Sequence, residues 1–348
     1  WVDNFAELTN FASVLDRHVL AAVEMRALAY LDGRCHLLEG RVAHGHIVDG
    51  HGDLLTDDIF CLSDGPRILD CLEFDPRLRA GDVLLDLAFL AMDLEHLGRP
   101  DLAVALVDTY CELSAEHHPR SLAHHYIAYR ALVRAKVSCL RALQAAQSTA
   151  PAAAFLDLCA RHLHAGAVRL VLVGGLPGTG KTTLAGELGK RLGWVVLRSD
   201  EVRKELAGLD ALTPSAAPYQ EGLYTPAMTA RTYSTMLERA EVALGLGESV
   251  VLDASWGDAS DRDAARTVAS RASAELVEVV CELDEATAAR RIGGRGPDAS
   301  DATPAVAHAM AAAFAPWPEA QRADTGATAA EVASAVLALM GLEGPSNS

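Results

Sequence analysis

Eight consecutive residues carry the densest chemistry in the chain: Gly175-Leu176-Pro177-Gly178-Thr179-Gly180-Lys181-Thr182 satisfies the spacing G-x-x-x-x-G-K-[ST]. Glycines at these positions let backbone N–H groups converge on phosphate oxygens at a helix start, where the helix dipole also favours negative charge. Lys181 is placed to reach the β- and γ-phosphates of ATP, and Thr182 to hold Mg²⁺ through its hydroxyl. Gly175, Pro177, Gly178, Thr179, Gly180, Lys181, Thr182 and Thr183 form the expected nucleotide-binding set. The plain alternative is a glycine-rich turn with no ligand. Against it, an apolar strand at 168–173 leads into the motif and a helix leads out, which is the context the motif requires.

A second apolar run, Val250-Val251-Leu252, ends in Asp253. An acid at the end of a strand that follows such a loop is suited to the Mg²⁺ shell. Many buried strands end in Asp at a turn, so position carries this assignment. A third group lies far upstream, where His51-Gly52-Asp53 precedes Asp57-Asp58 and, after a turn at 63–66, Asp70. Arg290, Arg291 and Arg295 sit beside the flexible text of 293–301, where they would bring positive charge over a transferring phosphoryl group. A solvated arginine face is their bland reading.

Residues 166–345 resemble P-loop kinases of the gluconate-kinase, polynucleotide-kinase and zeta-toxin type. The resemblance implies that Asp200, in Arg198-Ser199-Asp200-Glu201-Val202-Arg203-Lys204, is a general base for the acceptor hydroxyl, with Arg203 orienting substrate or phosphate. Ser199 or Asp200 as a simple helix cap is the competing reading. The same resemblance makes Arg291 and Arg295 lid cations and sets Asp324-Thr325-Gly326 beside adenine.

The text His51-Gly52-Asp53-Leu54-Leu55-Thr56-Asp57-Asp58 resembles the H-G-D-x-x-x-x-N loop of aminoglycoside-phosphotransferase-like kinases. The resemblance spans about residues 1–145 and only the helical lobe of that fold. It implies Asp53 as catalytic base and Asp58, in place of Asn, and Asp70 as metal ligands. The ATP-holding lobe would need a Gly-rich loop and a strand lysine upstream, and neither precedes His51. The expectation is a missing N-terminal lobe, carried by the full-length protein; the alternative is a degenerate scaffold. Bacterial fusions of these two kinase-like domains, of actinobacterial type, are what the whole chain resembles.

The elements that must position these residues follow from pattern. Apolar residues at helical spacing (Phe5, Leu8, Phe11, Leu15, Val19, Val23) predict amphipathic helix before residue 30, and helices are expected again from 81 to 145. A small β-hairpin is expected from 59–62 and 67–72. After the low-complexity stretch 146–154, short β-rich runs (168–173, 194–197, 249–252, 275–283) alternate with helices at 181–192, 200–207, 227–245, 259–272, 284–292, 304–314 and 328–341. That alternation predicts an α/β fold with a parallel sheet between helices. The expected organisation is therefore a mainly helical kinase-like lobe with a small hairpin (1–147), a linker helix (148–165) and a P-loop NTPase α/β domain (166–348).

With 348 residues and 50% apolar content, the chain can bury two cores. Its formal charge of −17 argues against non-specific binding to nucleic acid or anionic lipid. Seven cysteines without a C-x-x-C pair read as reduced thiols in a cytoplasmic protein, and no membrane span is expected. Paired histidines (44/46, 117/118, 124/125) match no zinc-helix spacing. The expected activity is an ATP- and Mg²⁺-dependent kinase acting on a small hydroxylated metabolite. The alternative is a nucleotide-sensing module with no acceptor of its own.

Overall fold

The computed structural model describes residues 1–11, 14–145, 148–215, 217–294 and 299–342. The chain forms two compact units, residues 1–167 and 168–348.

The first unit is mainly helical: α1 (Val2–Leu8), α2 (Arg17–Gly33), α3 (Cys35–Ala43), α4 (Val83–His96), α5 (Pro100–Ser114), α6 (Arg120–Ala145) and α7 (Ala150–Ala165). Its core joins Phe5, Leu8 and Phe11 to Phe89 and Met92 of α4, Ile127 and Leu132 of α6, and Phe155 and Leu156 of α7. The helix expected as a linker, α7, is thus part of this unit, because its apolar face is buried there. Short antiparallel pairs decorate the helices. Strand β1 (Ile47–Asp49) pairs with β4 (Ala80–Asp82), and β2 (Ile59–Leu62) with β3 (Gly65–Ile68). The second hairpin strand begins and ends earlier than its expected 67–72. The backbone turns left-handed at Asp70 (φ 64°), which the extended ladder cannot continue.

The second unit holds a five-stranded, all-parallel sheet. In chain order it comprises β5 (Arg169–Gly174), α8 (Lys181–Leu192), β6 (Val195–Arg198), α9 (Ser199–Leu206), α10 (Pro226–Gly245), β7 (Val250–Asp253), α11 (Ala259–Arg271), β8 (Glu275–Glu282), α12 (Glu285–Gly293), α13 (Pro304–Ala313), β9 (Gln321–Asp324) and α14 (Ala329–Leu339). The spatial order is β6-β7-β5-β8-β9. Strand β5 is buried along its whole length, as a central parallel strand covered on both faces must be. Local chemistry ends the helices where expected: Gly193 (φ 70°) closes α8, Pro226 opens α10 behind a Thr225 cap, and Thr328 with Glu331 forms a capping box on α14.

Candidate functional site

Parallel α/β sheets place their ligand site at the carboxyl ends of the strands, where the chain departs in opposite directions. Here β5 runs into the Gly175–Thr182 loop, and its neighbours β7 and β8 deliver Asp253 and Cys281 alongside. The loop is a close fit. A Cβ added to Gly175 (φ 134°) would lie 2.7 Å from the Cys281 carbonyl, and one on Gly178 (φ 83°) 2.6 Å from the Ala288 carbonyl of α12. Thr179 is buried, and its hydroxyl donates to the Leu176 carbonyl at 2.8 Å.

Asp253 is 3% exposed. Burial pushes its carboxyl up from the ordinary range, against the pull of Lys181, a hydrogen bond from Thr182 and the charge of Arg198. The guanidinium Nε of Arg198 lies 3.5 Å from Oδ2, while Oδ1 is buried without a hydrogen-bond partner. A buried, orphaned carboxylate oxygen beside a threonine hydroxyl is a hard-oxygen donor set, and it fits Mg²⁺.

Two of the hollows that meet this loop are lined by Lys181. The first, about 330 Å³, is lined by Gly178, Gly180, Lys181, Thr182, Thr183 and Arg291, with Thr325 and Ala327 beyond. Arg291 donates from Nη2 to the Thr325 carbonyl at 3.0 Å, and the Thr325 hydroxyl lies 2.5 Å from the Thr179 carbonyl. The loop before α14 is therefore bonded to the phosphate loop. Arg290 points elsewhere, to the Thr287 hydroxyl. Arg295 lies outside the described residues.

The second hollow, about 500 Å³, is walled by Pro177 and Lys181, by Asp200 and Arg203 of α9, by Tyr224 and Tyr233, and by Asp261 of α11. Arg203 donates from Nη1 to Asp200 Oδ1 at 2.7 Å and stacks over Tyr224 at 4.7 Å. Neither Ser199 nor Asp200 caps α9, whose N-cap residue Arg198 makes no side-chain cap bond. Asp200 is thus left to face the hollow.

In the first unit, Asp53 is half-buried. Burial and the nearby Asp58 raise its carboxyl, while Arg134, Arg130 and His51 pull it down. The loop is held by Asp86, which accepts from the backbone N–H groups of His51 (2.6 Å) and Gly52 (2.9 Å). Asp82 forms a buried bidentate pair with Arg41, whose Nη1 also meets Glu116. Asp58 accepts from the Leu55 N–H, and Asp70 is exposed. Among the described residues, no three His, Cys, Asp or Glu side chains converge as a metal site. The adjacent histidines do separate onto different faces: His124 Nδ1 lies 2.9 Å from His162 Nδ1, while His125 accepts from the Trp1 indole.

Several site residues were not legible from motif spacing. Arg198, Tyr224 and Asp261 reach the site only by folding. Lys204 had one signal: it is one of four lysines in the chain. Among the described residues, no helix is long and apolar enough to cross a membrane.

Residues 170–317 match the sequence profile of a family described as AAA domain. The chain is 42% identical over 327 residues to proteins described as uncharacterized from Mycobacterium tuberculosis and Mycobacterium bovis. That match covers 93% of this chain and 66% of theirs. Among solved structures, a sugar kinase from Janibacter sp. is similar at 17% identity and a TM-score of 0.40, covering 50% of this chain and 95% of that one. A gluconokinase from Sinorhizobium meliloti is similar at 17% identity and 0.37, covering 50% and 91%. The Mycobacterium tuberculosis APS kinase in complex with AMPPNP and APS is similar at 21% identity and 0.36, covering 50% and 98%. With its P-loop and parallel sheet, the C-terminal unit has the fold of a P-loop NTPase α/β domain, following a helical unit in the chain.

Proposed function

We propose that the C-terminal unit is an ATP- and Mg²⁺-dependent phosphotransferase acting on a hydroxyl of a small metabolite. The observation that carries this reading is the position of Lys181, which lines both hollows. One lysine then touches the phosphates on one side and the acceptor space on the other. A pure nucleotide switch has no need of a second cavity opening on its phosphate-binding lysine.

The Gly178–Thr182 backbone would hold the β- and γ-phosphates, with Lys181 neutralising them. Thr182 and Asp253 are the residues that would hold Mg²⁺, whose charge screens the phosphate oxygens. An acceptor hydroxyl in the second hollow would attack the γ-phosphorus. Its O–P bond forms as the β–γ bridge breaks, its proton passes to Asp200, and ADP leaves. Arg203 positions Asp200 through its Nη1 hydrogen bond. Arg291 is close enough to the loop to neutralise charge on the transferred group.

The test is phosphate transfer from γ-labelled ATP to a metabolite panel. Asp200→Asn is expected to lower the rate by about 10²-fold or more while ATP affinity persists. Transfer undiminished in Asp200→Asn, or nucleotide affinity unchanged in Lys181→Ala, contradicts the assignment.

For the first unit we propose the helical lobe of an aminoglycoside-phosphotransferase-like kinase, with Asp53 as its base and Asp58 and Asp70 as metal ligands. Support comes from the half-buried Asp53 beside Asp58, on a loop whose backbone Asp86 holds.

A further inference from the structure

The second hollow has a charge pattern that its proposed role as acceptor site leaves unexplained. Among the described residues its lining holds six charged groups: Lys181, Asp200, Arg203, Asp258, Asp261 and Asp301. Four are accounted for by partners or by the phosphates. Arg203 pairs with Asp200, Lys181 faces both hollows, and Asp301 is tied to the buried Lys204 at 3.1 Å. Asp258 spends Oδ1 on the N–H and hydroxyl of Ser260, as the cap of α11.

Asp261 is different. It is half-buried in the wall, and among the described residues it has neither a hydrogen bond nor an ion pair. The cation beside it in sequence is committed elsewhere. Arg262 donates to the carbonyls of Trp256, Ala315 and Pro316 and lies over the Trp317 ring. The lining also holds Tyr219, Tyr224 and Phe314, aromatic side chains able to receive the apolar side of a ligand. At the Asp200 end, Arg203 is 6% exposed, and its Nη1 is given to Asp200.

We infer that this cavity takes a small hydroxyl-bearing ammonium compound, an amino sugar or amino alcohol, and that Asp261 is the carboxylate that selects it. The inference rests on the phosphotransferase reading for the direction of the ligand: hydroxyl toward Asp200 and Lys181, ammonium toward Asp261. Burial and the neighbouring Asp258 push the Asp261 carboxyl up to about 6 against the charge of Arg262, so the ionised form has room for further compensation. An ammonium group supplies it as a charge-assisted hydrogen bond. A carboxylate ligand meets the opposite: repulsion from Asp258 and Asp261, with Arg203 already engaged by Asp200.

The test is calorimetric binding to the full chain loaded with a non-hydrolysable ATP analogue. The probes are glucosamine, galactosamine and 2-aminoethanol, each beside a neutral counterpart (glucose, N-acetylglucosamine, ethylene glycol), with gluconate and glycolate as anions. At least one amine should bind about tenfold or more tightly than its counterparts, the worth of one charge-assisted hydrogen bond. Asp261→Asn should abolish that preference, and Asp261→Glu should keep part of it, with circular dichroism verifying both folds. No preference for any amine, or a preference that survives Asp261→Asn, overturns the inference. Amine binding without phosphate transfer leaves it standing and removes the phosphotransferase reading. Phosphorylation of a neutral or acidic acceptor, with no amine preferred, does the reverse.

Discussion

The ammonium of Lys204 lies 3.1 Å from Asp301 Oδ2, and both groups are buried. Lys204 is on α9, and Asp301 is in the segment leading to α13. The same carboxylate accepts from the Ser215 N–H, and the lysine donates to the Ala211 carbonyl. One ion pair thus ties together three walls of the second hollow.

Removing one partner of that pair strands a buried charge. Lys204→Met is expected to destabilise the protein by about 3 kcal/mol, and Lys204→Met with Asp301→Asn to recover much of the loss. Urea unfolding followed by tryptophan fluorescence reads both. Equal stability of Lys204→Met and parent contradicts the structural role.

Asp253→Asn should separate stability from function. Its folded pKa is raised, so the ionised carboxylate opposes folding of the metal-free chain once pH exceeds the ordinary Asp value. The amide should leave the metal-free Tm unchanged or higher at pH 7, yet remove the added thermal shift that Mg²⁺ gives with ATP. A fall in metal-free Tm, with the Mg²⁺ effect intact, would falsify this reading of Asp253.

Gly178→Ala tests the cradle without touching a charge. The new Cβ would lie 2.6 Å from the Ala288 carbonyl, at a left-handed backbone position (φ 83°). Loss of ATP affinity by about tenfold or more is expected, because α12 and the loop cannot both keep their places. Equilibrium dialysis with ATP checks it, and parent-like affinity means the loop accommodates a side chain.

The first unit should be acid-sensitive through its buried histidines. His125 accepts from the Trp1 indole at 3.0 Å and stacks on Tyr30. Burial lowers His125 from 6.5 to about 3; burial and the charge of His162 lower His124 to about 4. The unfolded chain therefore binds more protons than the folded one below pH 6.5. Stability from these groups is complete above 6.5 and is lost as pH falls toward 4 and then 3. Amide exchange in α6, followed from pH 7 to 4, should accelerate at fixed intrinsic rate; a flat profile contradicts the assignment.

Much of the second unit was legible because its signals are local. Seven helices and four strands appear within a few residues of their expected spans, set by runs such as Leu170–Val173 and by caps such as Asp284 and Thr328. Strand β9 was not legible. Gln321-Arg322-Ala323-Asp324 is polar on an edge, and only pairing with β8 makes it extended. The pairs β1–β4 and the packing of α7 escaped for the same reason, since each depends on partners distant in the chain.

The phosphate loop was determined by sequence alone. Its chemistry resides in contiguous residues whose glycines and lysine act through the local backbone, so spacing is sufficient evidence. Which acids face a ligand was decided by tertiary structure. Asp200 was singled out only through the family resemblance, and Asp261 and Asp301 are ordinary residues in the text. Arg203 engages the first, Lys204 the third, and no described residue the second. A charge acquires its role from what is buried beside it, and burial is a property of the folded chain.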